Sequence, residues 1–172
     1  LVGSEMCIRD SPENPSQHII DMSENEIEVP EDYTREELRQ DLLCYTSPVL
    51  KENLVLTGDM TAELYISSDA PDTDFVVRVT DVDENGRSIK LADGLLSARY
   101  RNGFAQSEFL QEGEIVCLKI RTTKLSNCFR KGHRIRVTVT SSAKNFIFPN
   151  SNTREGFASA RTVVAHNRVY HG

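Results

Sequence analysis

Three aspartates, Asp69, Asp72 and Asp74, crowd into the run Ser68–Phe75 (SDAPDTDF). Carboxylates at that spacing suit two kinds of chemistry, a calcium site or an acid–base pair. The same run suits a plainer role. Pro71 and Asp72 favour a turn before a strand, and Asp side chains in such turns accept hydrogen bonds from backbone N–H groups. A second acidic run, Asp81–Gly86 (DVDENG), matches the first half of an EF-hand calcium loop. The twelfth position, where a bidentate Glu belongs, is Ala92, and the flanks are strand-like rather than helical. This run is predicted to be a β-hairpin, with Asn85-Gly86 supplying the positive φ angles of a type I′ turn.

The usual nucleophilic arrangements do not occur. The glycines stand at 3, 58, 86, 94, 103, 113, 132, 156 and 172, and no two are four apart, which excludes a G-x-S-x-G elbow. The same spacing excludes G-x-G-x-x-G and the P-loop. The four histidines, His18, His133, His166 and His171, pair with no Ser or Cys in a recognisable motif. Cys7, Cys44, Cys117 and Cys128 form no C-x-x-C pair, which argues against a zinc or redox site. Cys44 and Cys117 sit in apolar strand-like runs and are predicted to be small buried hydrophobes. The cysteine usage favours a reducing, cytoplasmic setting. The residues imply no cofactor and no metal. Basic residues gather at Arg99-Tyr100-Arg101 and again at Arg130, Lys131, Arg134 and Arg136. On a strand Arg134 and Arg136 point to one side. That side is either a solvated sheet face or a docking face for an acidic neighbour, which would be the leader described below or another domain.

The elements that must position these groups are strands. Asp59–Ser67 alternates Met60, Ala62, Leu64 and Ile66 against Thr61, Glu63, Tyr65 and Ser67. His133–Ser141 alternates Ile135, Val137 and Val139 against Arg134, Arg136, Thr138 and Thr140. Phe75–Val82 is almost continuously apolar or β-branched, Ile115–Thr122 alternates loosely, and Thr162–Ala165 and Arg168–Tyr170 read as two short strands. Gly-bearing turns part them. Seven or eight short strands without a long helix predict an all-β protein, a sandwich of two antiparallel sheets or a barrel. Each strand has one apolar face, so two sheets must stack to hide both. The length of 172 residues suits one domain. No apolar run approaches the roughly 18 residues of a membrane-spanning helix. A net charge of −6 and a pI near 5.3 argue against a nucleic-acid partner.

The charge is uneven. Residues 1–41 hold twelve Asp/Glu against three Lys/Arg, a net of −9, so the chain total of −6 leaves +3 for the remainder. Residues 1–11 (LVGSEMCIRDS) fit nothing that follows. They resemble the peptide obtained when sequencing-adaptor DNA is translated, and are expected to be a non-native leader without fold information. Residues 12–37 hold Pro12, Pro15 and Pro30 and are predicted to be an acidic extended linker. This acidic part is either a solvated strap or a segment lying across a basic surface, here or on a partner domain. Within it, Tyr33–Gln40 carries a capping-box pattern, Thr34 with Glu37 three residues on, and predicts a short helix. Residues 38–172 are predicted to be the β-sandwich.

Five runs together resemble one family: PENP (Pro12–Pro15), CYTSPVL (Cys44–Leu50), the stretch Leu56–Arg101, KGHRIRVTVTSS (Lys131–Ser142) and NSNT (Asn150–Thr153). In this order they look like the C-terminal domain of the cocaine esterase / X-prolyl dipeptidyl-peptidase hydrolase family. The resemblance implies a jelly-roll sandwich of galactose-binding-like fold that follows an α/β-hydrolase core with a helical cap. The family's Ser–Asp–His triad lies in that core, so no catalytic residue carries over to this chain. The core of the same protein is the implied partner, with no nucleic acid and no membrane; oligomeric state is not given. Family members continue past a pair like Tyr170-His171 into another strand, so a chain stopping at Gly172 would leave an exposed edge. By analogy Asp72, Asp74, Arg99, Arg101, Arg134 and Arg136 are structural or interface candidates, with Asp72 or Asp74 capping backbone amides or pairing with an arginine. The implied function is a non-catalytic sandwich that packs on the core and shapes its pocket. The alternative is a stand-alone carbohydrate-binding or structural jelly roll, against which stand the absence of Trp and an aromatic content of 7%.

Overall fold

The computed structural model describes residues 4–19 and 31–171. The part of the acidic linker from 20 to 30 lies outside the described residues. Ten strands occur among them: β1 (Ser4–Asp10), β2 (Leu42–Thr46), β3 (Leu54–Gly58), β4 (Thr61–Ser68), β5 (Asp74–Val82), β6 (Ser88–Ser97), β7 (Val116–Arg121), β8 (Leu125–Phe129), β9 (Arg134–Thr140) and β10 (Ala165–His171). They form one sheet in the order β1-β10-β4-β7, a second in the order β2-β9-β5-β6, and a two-stranded ribbon β3-β8. All strand pairs are antiparallel.

The all-β sandwich predicted from the period-two pattern is what the chain forms. The core lies between the two sheets. Ile66 of β4, Leu118 and Ile120 of β7 and Val169 of β10 meet Leu43 of β2, Phe75 and Val77 of β5 and Val139 of β9. Burying each such side chain is worth roughly 1.5–3 kcal/mol, so this one interface accounts for the drive to stack. A smaller cluster around Val79, Ala92, Leu125 and Phe129 joins the ribbon to the second sheet.

β5 is buried on both faces, which explains its nearly continuous apolar run. Its inner side chains enter the core. Its outer face, with Val76, Arg78 and Thr80, is covered by the acidic segment. Ser16 Oγ bonds the Ser142 carbonyl at 2.5 Å and lies 3.2 Å from Thr140 Oγ1. Tyr33, itself buried, lies under the Arg78 guanidinium at 4.8 Å. Glu37 accepts hydrogen bonds from Ser88 Oγ and from Arg136. Asp32 pairs with Arg87, and Glu31 with Lys90. Of the two readings of this segment, its described part follows the second: it lies across a basic surface of its own chain.

Six local expectations change. Residues 4–10, expected to carry no fold information, form β1, because Ile8 alternates inward into the core and the backbone pairs with β10 from Ser4↔His171 to Asp10↔Ala165. β10 is consequently flanked on both sides rather than exposed as an edge. One strand, Ala165–His171, stands where two short ones were expected, and residues 162–164 lie outside it. Thr34 does not cap a helix: its Oγ1 donates to Asp32 and accepts the Ser88 N–H, and only a 3₁₀ turn, Glu36–Leu38, follows. The Asn85-Gly86 hairpin forms, but with a different turn. Gly86 N–H bonds the Asp83 carbonyl, and only Gly86 has positive φ (83°), which rules out type I′. The Asp83 carboxylate accepts both the Asn85 and Arg87 N–H groups and holds this three-residue loop, closed by the Asp83 N–H on the Arg87 carbonyl. Cys44 and Cys117 are half-buried rather than buried.

Candidate functional site

One end of the sandwich gathers the Ser68–Phe75 turn, the end of β6 and the Asn150–Thr153 run. β6 stops at Ser97, where Ala98 N–H turns to the Thr73 carbonyl and Arg99 N–H to Asp72 Oδ1. Arg99 therefore sits on a 3₁₀ turn, Ala98–Tyr100, with Arg101 at its C-cap, and neither lies on a strand. Arg99 Nε donates to Asp72 Oδ2 at 2.7 Å, and its Nη atoms donate to the Thr153 and Arg154 carbonyls. Asn150 Nδ2 bridges Asp72 and Asp74, at 2.7 and 3.0 Å. The aspartates thus do not converge on one point. Asp69 turns away to His166, Asp72 binds Arg99 and the chain backbone, and Asp74 binds Asn150. Among the described residues no three His, Cys, Asp or Glu side chains come together as metal ligands.

Behind this layer lies a buried polar network. Asn152 holds φ at 62° and donates from Nδ2 to Asp10 Oδ2 at 2.8 Å and to the Val163 carbonyl. Asn167 donates to Thr73 and Ser141 and accepts from Ser68. Burial pushes the Asp10 carboxyl up to about 7, against the hydrogen bonds from Asn152 and Thr73 and with the Asp74 charge adding to it. Burial likewise raises Asp74.

In front of the carboxylates opens a cavity of about 390 Å³ whose walls include Leu95, Tyr100, Phe146, Phe148 and Phe157. The Phe148 and Phe157 rings stack at 5.9 Å and are 79% and 75% exposed. Phe104, also exposed, tilts against Tyr100. An acid-floored, aromatic-rimmed hollow can take a cation or a basic side chain among apolar neighbours, since the face of an aromatic ring attracts positive charge.

Of the six candidate residues, Asp72, Asp74 and Arg99 meet here. Arg101 stands beside them and fastens the following loop, donating to the Ala98 and Glu108 carbonyls. Arg134 and Arg136 are elsewhere, on the outer face of β9. Arg134 donates to the Ser47 carbonyl, and Arg136 meets Thr46 and the Glu37 carboxylate of the acidic segment. Sequence reasoning missed the phenylalanines and Asp10. The run Phe146-Ile147-Phe148-Pro149 held a signal, large apolar residues in a proline-bounded loop where no strand could bury them.

A family model, the X-Pro dipeptidyl-peptidase C-terminal non-catalytic domain, matches residues 10–172. The cocaine esterase of Rhodococcus sp. (strain MB1 Bresler) is 39% identical over 139 residues, which are 78% of this chain and 24% of that protein. Among solved structures, an aminopeptidase from the marine sediment archaeon Thaumarchaeota archaeon superposes with a TM-score of 0.88 at 24% identity, covering 98% of this chain and 31% of its own. An α-amino acid ester hydrolase gives 0.87 at 22%, covering 98% and 30%. The chain spans about a quarter to a third of these proteins.

Proposed function

The chain belongs to the family of X-Pro dipeptidyl-peptidase C-terminal non-catalytic domains, and on that premise we propose that it serves as the non-catalytic β-sandwich of an α/β serine hydrolase. In this reading it packs on the catalytic core, fixes the cap and narrows the path to the pocket. The whole protein then cleaves an acyl bond, that of an X-Pro dipeptide or of an ester, through a Ser–His–Asp triad in the core. The observation that carries the reading is the family match across residues 10–172 combined with a coverage of only 24% of the esterase relative. The domain's own work is physical: burying apolar area and holding its neighbour's geometry, which an active site needs to within fractions of an ångström.

The purified chain is expected to hydrolyse neither a nitrophenyl ester nor a Gly-Pro anilide above a protein-free control. Turnover that survives repeated purification overturns the reading. The exposed Phe148–Phe157 pair beside carboxylates supports a second reading, a sugar-stacking surface. Saturable binding in a titration of the same chain against a glycan panel would select it.

A further inference from the structure

We propose that the aromatic-rimmed cavity over Asp72 and Asp74 is the face on which the catalytic part of the polypeptide docks, and that the docking element places a basic side chain in that cavity, beside the stacked Phe148 and Phe157 rings. This rests on the reading of the chain as one domain of a larger hydrolase.

Three observations carry it. The first is position. The family match begins at Asp10, and the residues that follow adjoin this face. Pro12, Glu13 and Pro15 form a hollow of about 510 Å³ with Phe146, Ile147 and Phe148, so the two hollows share a wall. In the esterase relative roughly three quarters of the chain lies outside the matched part, and here the start of the family match, at Asp10, leads directly into the Pro12–Pro15 wall of the second hollow.

The second is apolar exposure. Phe104, Phe146, Phe148 and Phe157 are all more than half exposed and cluster at one end of the molecule. A contiguous patch of large aromatics ringed by polar groups marks an interaction surface rather than a solvated one.

The third is charge. Arg99 is spent on Asp72 and on two backbone carbonyls. Asp74 is buried at the cavity floor and pairs with no cation among the described residues. Glu155 adds a further acid to the lining. An arriving guanidinium or ammonium would meet the Asp74 carboxyl and an aromatic ring face in one place, and its charge would offset the burial that disfavours the ionised carboxyl.

The test uses a fusion in which residues 10–172 replace the matching C-terminal part of the Rhodococcus cocaine esterase. Backbone amide exchange is measured by mass spectrometry in the fusion and in the isolated chain. Amides at 145–148 and 156–158 are expected to exchange at least roughly tenfold more slowly in the fusion. The doubly substituted fusion Phe148→Ser/Phe157→Ser, altered only at exposed rings, should return to the rates of the isolated chain. Asp74→Asn, which preserves shape, should lose most of the protection at 156–158, and undiminished protection there overturns the basic side chain. Protection confined to another face, such as the ribbon around exposed Val55, overturns the docking face while leaving the domain reading intact. No protection anywhere on the sandwich overturns the domain reading itself.

Discussion

Asp10 shows how one buried group sets a pH response. Its carboxyl titrates near 7 when folded, because burial penalises the charge, against an ordinary value of 3.8. Below about pH 4 both folded and unfolded chains hold this proton, and the stability linked to it is fully present. As pH rises from 4 to 7 the unfolded chain gives up the proton first, so stability is lost over that window and levels off above it. His18 runs the other way, lowered by burial to about 4, but it is common to both proteins compared. Asp10→Asn should therefore melt with the parent at pH 4 and above it by about 5 °C or more at pH 8. A difference that does not change with pH contradicts the buried, proton-holding state of Asp10. At this scale the sequence was legible where turn chemistry is local: Asp72 and Arg99 both belong to runs with a clear structural role, and they pair. Asp10 and the four phenylalanines were not, since each stands in a segment without periodicity and gains its meaning from residues far away. Arg78 was hidden for another reason. A single charge inside an apolar strand looks like a solvent-facing interruption, until the acidic segment covers it.

The strands show what period two does and does not encode. β4 and β9 alternate, and both fall within two residues of their predicted limits. β5, apolar on both faces, is a central strand with a covered back. β6 is less regular, and one of its residues explains why. Gly94 runs so close to the end of β7 that a Cβ on it would stand 2.4 Å from the Arg121 carbonyl oxygen. Neither group is a flexible side-chain end, so the backbone itself must shift to admit a methyl. Gly94→Ala is expected to lower stability by about 2 kcal/mol, within the range measured for overpacked interiors, as read from a urea midpoint with unchanged slope. A neutral or stabilising effect contradicts this packing of β6 on β7. β1 and the turn at Ala98–Tyr100 were illegible for opposite reasons. The first is a strand whose only deeply buried apolar side chain is Ile8, too little pattern to see. The second carries a strand-like composition, but the Asp72 carboxylate and the Thr73 carbonyl capture its N–H groups and end β6 early.

For the molecule as a whole, three surfaces organise the chain. Two sheets share an apolar core. The acidic segment closes the outer face of the second sheet through Glu31, Asp32 and Glu37, which absorbs the charge imbalance read along the sequence. The aromatic end remains uncovered among the described residues, and in the proposed function it is the part that a larger protein buries. An interface of this kind couples the folding of its two sides, since anything that binds only the folded sandwich stabilises it. Scanning calorimetry of the esterase fusion tests that coupling most directly. A docked sandwich predicts that the domain no longer melts at the temperature of the isolated chain but unfolds at a higher one, together with the catalytic part, in a single cooperative transition. A separate transition that stays at the isolated chain's temperature would show two parts joined only by a tether, and would contradict the account.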